Sequence, residues 1–180
     1  MERKTIWNDA LRTGLALGGV SIAYTLLNIL LSKLQGGTAV SVLVNVSGVI
    51  LWVVKFWLCI HLFKLFMQKF ASSHDGVTNS DTFRYGIAMA VLSALVYSAF
   101  YLAWVSLIQP EMLTDAIDVA REAYSGVLPA DQLEALDELA PRLPGMTFIA
   151  NLLYCTLFGT VLSAIFSRNI PSRNPFTESE

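Results

Sequence analysis

Val40 to Phe63 reads VSVLVNVSGVILWVVKFWLCIHLF, 24 residues with no Asp or Glu and a single lysine, Lys55. A helix of ~20 apolar residues crosses a ~30 Å hydrocarbon layer, so this stretch predicts a membrane span. Working outward, three more stretches have the same character: Leu15–Leu34, Tyr85–Ile108 and Met146–Phe166. None of them contains an acid. The expected fold is therefore an all-α polytopic membrane protein of four transmembrane helices, arranged as two antiparallel hairpins in a single membrane domain over 1–180.

Composition agrees. Charged residues make up 14% of the chain, where a soluble domain carries ~25%. The net charge of −2 and the lack of a basic run with interleaved aromatics exclude nucleic acid as an expected partner. Cys59 and Cys155 both fall inside spans and read as buried, inert thiols. Met1-Glu2-Arg3-Lys4 matches the charged start of a signal peptide. The apolar stretch after it is too long, however, and runs into Ser32-Lys33-Leu34-Gln35-Gly36-Gly37 rather than a small-residue cleavage site. A retained first span is expected.

Flanking Lys and Arg set orientation. Arg3, Lys4, Arg12, Lys64, Lys69, Arg84, Arg168 and Arg173 fall on one side, eight in all, against Lys33, Arg121 and Arg142 on the other. Both termini are thus expected in the cytoplasm, with a cytoplasmic loop at 68–84 and a tail at 167–180. The bias disfavours antiparallel pairing of two copies. The two hairpins would run in the same sense, without the inverted repeat that usually underlies alternating access.

Gln35-Gly36-Gly37-Thr38 predicts a tight extracytoplasmic turn. His74, within the polar run Ser72–Asp81, reads as a solvated loop histidine. The segment 109–145 holds eight acids and two bases and predicts an extracytoplasmic cap of two helices. Glu111, Asp115, Asp118 and Glu122 share one helical stripe, with Met112, Ile117, Ala120 and Tyr124 largely opposite. A second helix is expected from Pro129, carrying Leu133, Leu136, Ala140 and Leu143, and stopped by Pro141, Pro144 and Gly145 before span four. The acid stripe suggests divalent cations. A straight helix spreads its carboxylates apart, whereas calcium needs six to eight converging oxygens, so a solvated face is expected and no metal site.

Span one carries Gly14, Gly18, Ser21, Thr25, Asn28 and Ser32 at alternating spacings of four and three, a seam of small and polar residues. Such a seam lets another helix approach closely. Span three has Gly86, Ala90, Ala94 and Ser98 every fourth residue. Span two offers Ser41, Asn45, Gly48, Trp52, Lys55 and Cys59, and span four Thr156, Thr160, Ser163 and Ser167. Gly14, Gly18, Ser21, Gly86, Ala90 and Ala94 are the candidate packing residues. Lys55, Asn28 and Asn45 are the candidate functional polar residues within the membrane. An ionisable residue in a span is a functional candidate by default. For Lys55 the sequence supports snorkelling toward the cytoplasmic face, a polar contact with Asn28, Asn45 or a Tyr hydroxyl, or a role in binding an anion or lipid headgroup.

No span holds a carboxylate for a proton relay, and no HExxH occurs. Enzymatic function, catalytic residues and cofactors are not expected.

Four features occur in order: Asn8-Asp9-Ala10-Leu11-Arg12-Thr13-Gly14-Leu15; Thr82-Phe83-Arg84-Tyr85-Gly86; Ile108-Gln109-Pro110-Glu111-Met112-Leu113; and a closing span followed by a short basic tail. In this layout the chain resembles the small bacterial membrane proteins grouped as domain of unknown function 4199. Gln109 stands where that pattern has Asn or Asp, and Ser167-Arg168 where it has lysines. The resemblance implies four spans and an inner-membrane location, and supplies no activity. The expected role is a non-enzymatic integral membrane protein, accessory or oligomeric through helix and protein contacts. Its partners would be the lipid bilayer and either further copies or another membrane protein, with no small-molecule substrate indicated. The alternative is a subunit of an oligomeric transporter or channel using Lys55 and the polar seam of span one.

Overall fold

A computed structural model describes residues 3–33, 38–74, 76–127, 129, 132 and 138–170. The expected turn at 35–37, most of the second cap helix and the tail beyond 170 lie outside these residues, as do the side chains at 38–41. The protein is all-α, and among the described residues there is no strand. Among the described residues four helices carry segments long and apolar enough to cross a membrane: Lys4–Ser32, Val42–Ser73, Asn79–Ile108 and Ala140–Asn169. The elements are α1 (Arg3–Ser32), α2 (Thr38–Ser73), α3 (Asn79–Ala103), α4 (Glu111–Tyr124) and α5 (Leu143–Asn169). The chain forms two compact units, Met1–Tyr97 with Tyr154–Glu180, and Ser98–Leu153.

In the first unit the core gathers where α1 begins and α2 ends. Ile6 and Ala10 of α1, Met67, Phe70 and Ala71 of α2, Val77, Tyr85 and Met89, and Ile170 are buried together. α2 therefore continues past Phe63. Phe63, Met67, Phe70 and Ala71 recur at i, i+4, i+7 and i+8 and are buried, while Lys64, Gln68 and Lys69 are exposed. That is an amphipathic stripe, and it shortens the expected loop 68–84 to the few residues between Ser73 and Asn79. Within that connection Gly76 has φ of 75°, a backbone conformation side chains disfavour. Thr78 then opens α3 with a capping box. The Asp81 amide donates to Thr78 Oγ1 (3.2 Å), and the Asp81 carboxylate accepts from the Thr78 amide (3.2 Å) and hydroxyl (2.8 Å).

The middle of α2 is apolar and outward-facing. Leu43 is 66% exposed, Val49 64% and Trp57 63%, a surface only lipid or another apolar helix covers without penalty. On α5, Leu157 is 65% exposed and has the same character.

Small residues let the helices close on one another. A methyl group on Gly14 would meet Leu92 Cβ at 2.8 Å and the Met89 carbonyl at 3.1 Å, and one on Gly18 would meet Val96 Cγ1 at 2.8 Å. The Gly14–Gly18 pair of α1 thus lies on α3. α5 also packs on α3: Gly86 lies against Ser163, and Gly159 against Ala90. The Ser163 hydroxyl donates to the Phe83 carbonyl at 2.8 Å and is buried. Ala94 of the same stripe is 1% exposed.

In the second unit α3 gives way to a π-helical turn, Trp104–Ile108. The Gln109 amide donates to the Trp104 carbonyl (3.0 Å), and Trp104 Nε1–H donates to Gln109 Oε1 (3.1 Å). Pro110 disfavours helical backbone at the residue before it, which is consistent with the helix ending at Gln109 (φ −136°, ψ 67°). α4 follows with Glu111, Asp115, Asp118 and Glu122 exposed. Its inward face differs from the expected one: Ile117 is buried and Leu113 and Ala120 half-buried, whereas Met112 and Tyr124 are exposed. The reason is spacing, since 113, 117 and 120 stack on one side of a 3.6-residue helix. Pro144 and Gly145 do not stop the chain before span four. They sit in the first turn of α5, where a proline's missing N–H removes no helical bond.

Candidate functional site around Lys55

Lys55 projects from mid-α2 with its ammonium over two tyrosine rings, 4.9 Å from the centre of Tyr24 on α1 and 5.3 Å from that of Tyr97 on α3. Both distances suit a cation–π contact, ~0.5–2 kcal/mol each. The contact is with ring faces, and neither Asn28 nor Asn45 touches the lysine through a side-chain hydrogen bond among the described residues. No carboxylate among the described residues lies within ion-pair distance of it.

Lys55 also lines a pocket of about 170 Å³, to which α1, α2, α3 and α5 all contribute. Its polar lining is Ser21, Lys55, Cys59, Ser93, Tyr154 and Cys155, and its apolar lining includes Trp52, Phe56 and Phe158. The rings form a connected wall. Trp52 stacks on Phe56 (5.7 Å), Phe56 leans on Phe158 (5.5 Å), and Phe158 faces Tyr154 (6.4 Å). Thus Lys55 and Ser21 come together with two thiols. Chemically the site offers a fixed positive charge, hydroxyl donors and flat apolar walls. Such a set is chemically able to bind and orient a ligand.

The other two polar candidates lie apart from this pocket. Asn28 and Asn45 are exposed on α1 and α2 and make no side-chain hydrogen bond among the described residues. Asn28 approaches Gly48, its Oδ1 3.6 Å from where a Gly48 methyl would stand.

A second polar cluster has no signal in the sequence. His74 lies in the connection after α2, but it is half-buried rather than freely solvated: its Nδ1 lies 3.2 Å from the Phe70 carbonyl and its Nε2 3.5 Å from Asp9 Oδ2. The Tyr85 ring lies flat on Phe70 at 4.0 Å, and its hydroxyl meets Thr13 Oγ1 at 2.9 Å. Asp9 and Thr13, four apart on α1, thus anchor the ends of α2 and α3. Among the described residues no three His, Cys, Asp or Glu side chains converge in a way that would hold a metal.

No curated protein and no solved structure matches the chain. The model of the family described as "Protein of unknown function (DUF4199)" matches residues 12–168. That stretch runs from the start of the Gly14–Gly18 seam to the end of α5, and the chain belongs to the DUF4199 family of multi-span membrane proteins of unknown function.

Proposed function

We propose that this is a non-enzymatic integral protein of the bacterial inner membrane, both termini cytoplasmic, that acts by associating with further copies of itself through its spans. The observation that carries this reading is the pair Asn28 and Asn45. Asn28 lies one turn inside the end of α1 and Asn45 two turns inside the start of α2. Exposed Leu27, Leu30, Leu43 and Val46 surround them. An amide facing hydrocarbon without a partner loses several kcal/mol of hydration, and a hydrogen bond to another helix restores it. A two-fold contact between like faces supplies the same amide from the second copy. The orientation is supported by the eight-to-three distribution of flanking Lys and Arg. The non-enzymatic part is supported by spans free of Asp and Glu.

Chemical cross-linking in native membranes tests the contact. Asn28→Cys and Asn45→Cys, in a background without Cys59 and Cys155, should each form a disulfide-linked dimer. Failure of both, with a control exposed position such as Leu65→Cys equally reactive, rejects the face.

Lys55 supports a second reading, a transporter or channel subunit that builds a pore by oligomerising around it and the span-one seam. In that case Lys55→Leu changes ion or solute flux in liposomes. In the contact reading neither form conducts.

A further inference from the structure

The geometry points to a binding site in the first unit for the carboxylate head of a bilayer-borne amphiphile such as a long-chain fatty acid, with Lys55 as its counter-charge. Lys55 has three N–H donors, yet its partners among the described residues are the faces of Tyr24 and Tyr97. Ring faces temper a cation but leave its donors without acceptors. No span supplies a carboxylate to complete it. An ammonium held at this depth calls for an opposite charge, and the ligand is the remaining source. The Ser93 hydroxyl lines the same pocket, makes no side-chain hydrogen bond among the described residues, and is a second donor for an anionic head.

Size and walls select the rest of the molecule. At about 170 Å³ the pocket holds a carboxyl group and the first few methylenes, not an acyl chain. Trp52 and Tyr154 line it and are also 55% and 66% exposed, so the ring wall between α2 and α5 continues from the pocket onto the lipid-facing surface. An acyl chain lies along that wall with its head on Lys55. A short soluble carboxylate shares the head chemistry but gains nothing from the rings, and reaching mid-span from water requires it to shed hydration. The site does not depend on whether copies associate.

The test uses the full chain in lipid nanodiscs and native mass spectrometry, with palmitate, hexadecanol and acetate as probes. Palmitate should be retained at one per chain. Hexadecanol, with the chain but no charge, and acetate, with the charge but no chain, should each bind at least about tenfold more weakly, the scale of one charge-assisted hydrogen bond. Lys55→Met should lose palmitate by a similar factor, Lys55→Arg should keep part of it, and Ser93→Ala should weaken it about threefold. A second measurement needs no variant: palmitate should slow alkylation of Cys59 and Cys155 by a membrane-permeant maleimide. Equal retention of hexadecanol, or palmitate binding unchanged in Lys55→Met, overturns the site. Acetate binding as tightly as palmitate overturns the bilayer as the ligand's source.

Discussion

The Lys55 ammonium of α2 stands over the Tyr24 ring of α1, 4.9 Å from its centre. This contact ties Lys55, the one lysine between Val40 and Phe63, to a neighbouring helix through a ring quadrupole. Tyr24→Leu should lower the melting temperature in wild-type protein and have a smaller effect in a Lys55→Met background. A double-mutant cycle in mild detergent should return a coupling of ~0.5–2 kcal/mol. Additive losses would mean that the ring merely fills space.

The small-residue seam predicts a contrast between neighbours. Gly14→Ala places a methyl 2.8 Å from Leu92 Cβ, an atom fixed to the α3 backbone, and should destabilise by ~1–3 kcal/mol. Gly19→Ala, where a methyl meets nothing within 4 Å, should be neutral or gain up to ~1 kcal/mol from helix propensity. Thermal unfolding followed by size-exclusion of the detergent-solubilised variants separates the two.

The Ser98 hydroxyl is buried with no hydrogen-bond partner among the described residues. Removing it should release the desolvation of that group, so Ser98→Ala should raise stability by ~1 kcal/mol. Asp81→Ala should do the reverse, losing ~0.5–2 kcal/mol with the capping box at the start of α3. Both are read from melting curves, and a stabilised Asp81→Ala would contradict the assigned cap.

The proposed orientation is tested by cysteine accessibility in cells. In a chain lacking Cys59 and Cys155, Asp118→Cys on exposed α4 should react with a membrane-impermeant maleimide from the periplasm. Lys69→Cys, exposed near the end of α2, should react only after the cells are opened. The reverse pattern would invert the topology.

What the sequence displays follows from the range of each interaction. The spans are legible because hydrocarbon acts on every residue of a 20-residue stretch alike. The extension of α2 to Ser73 is also written there, as the repeat Phe63, Met67, Phe70, Ala71, but mean hydropathy hides it among Lys64, Gln68 and Lys69. Spacing marks Gly14 and Gly18 as a close-approach face, whereas its partner, Leu92 and Val96 of α3, is set by three-dimensional packing. The same holds for Lys55. Its type marks it, but nothing local selects Tyr24 and Tyr97 from the other aromatics as its rings. Asp9 and His74 are illegible for the plainest reason, being 65 positions apart on elements whose meeting no short motif encodes.

The central claim, self-association through the face bearing Asn28 and Asn45, is tested most directly by native mass spectrometry of the full chain released from lipid. The wild type should appear as a defined homo-oligomer, and the Asn28→Leu/Asn45→Leu double variant as monomer. A wild type that is monomeric across protein concentrations, or a double variant that keeps the oligomer, would contradict it.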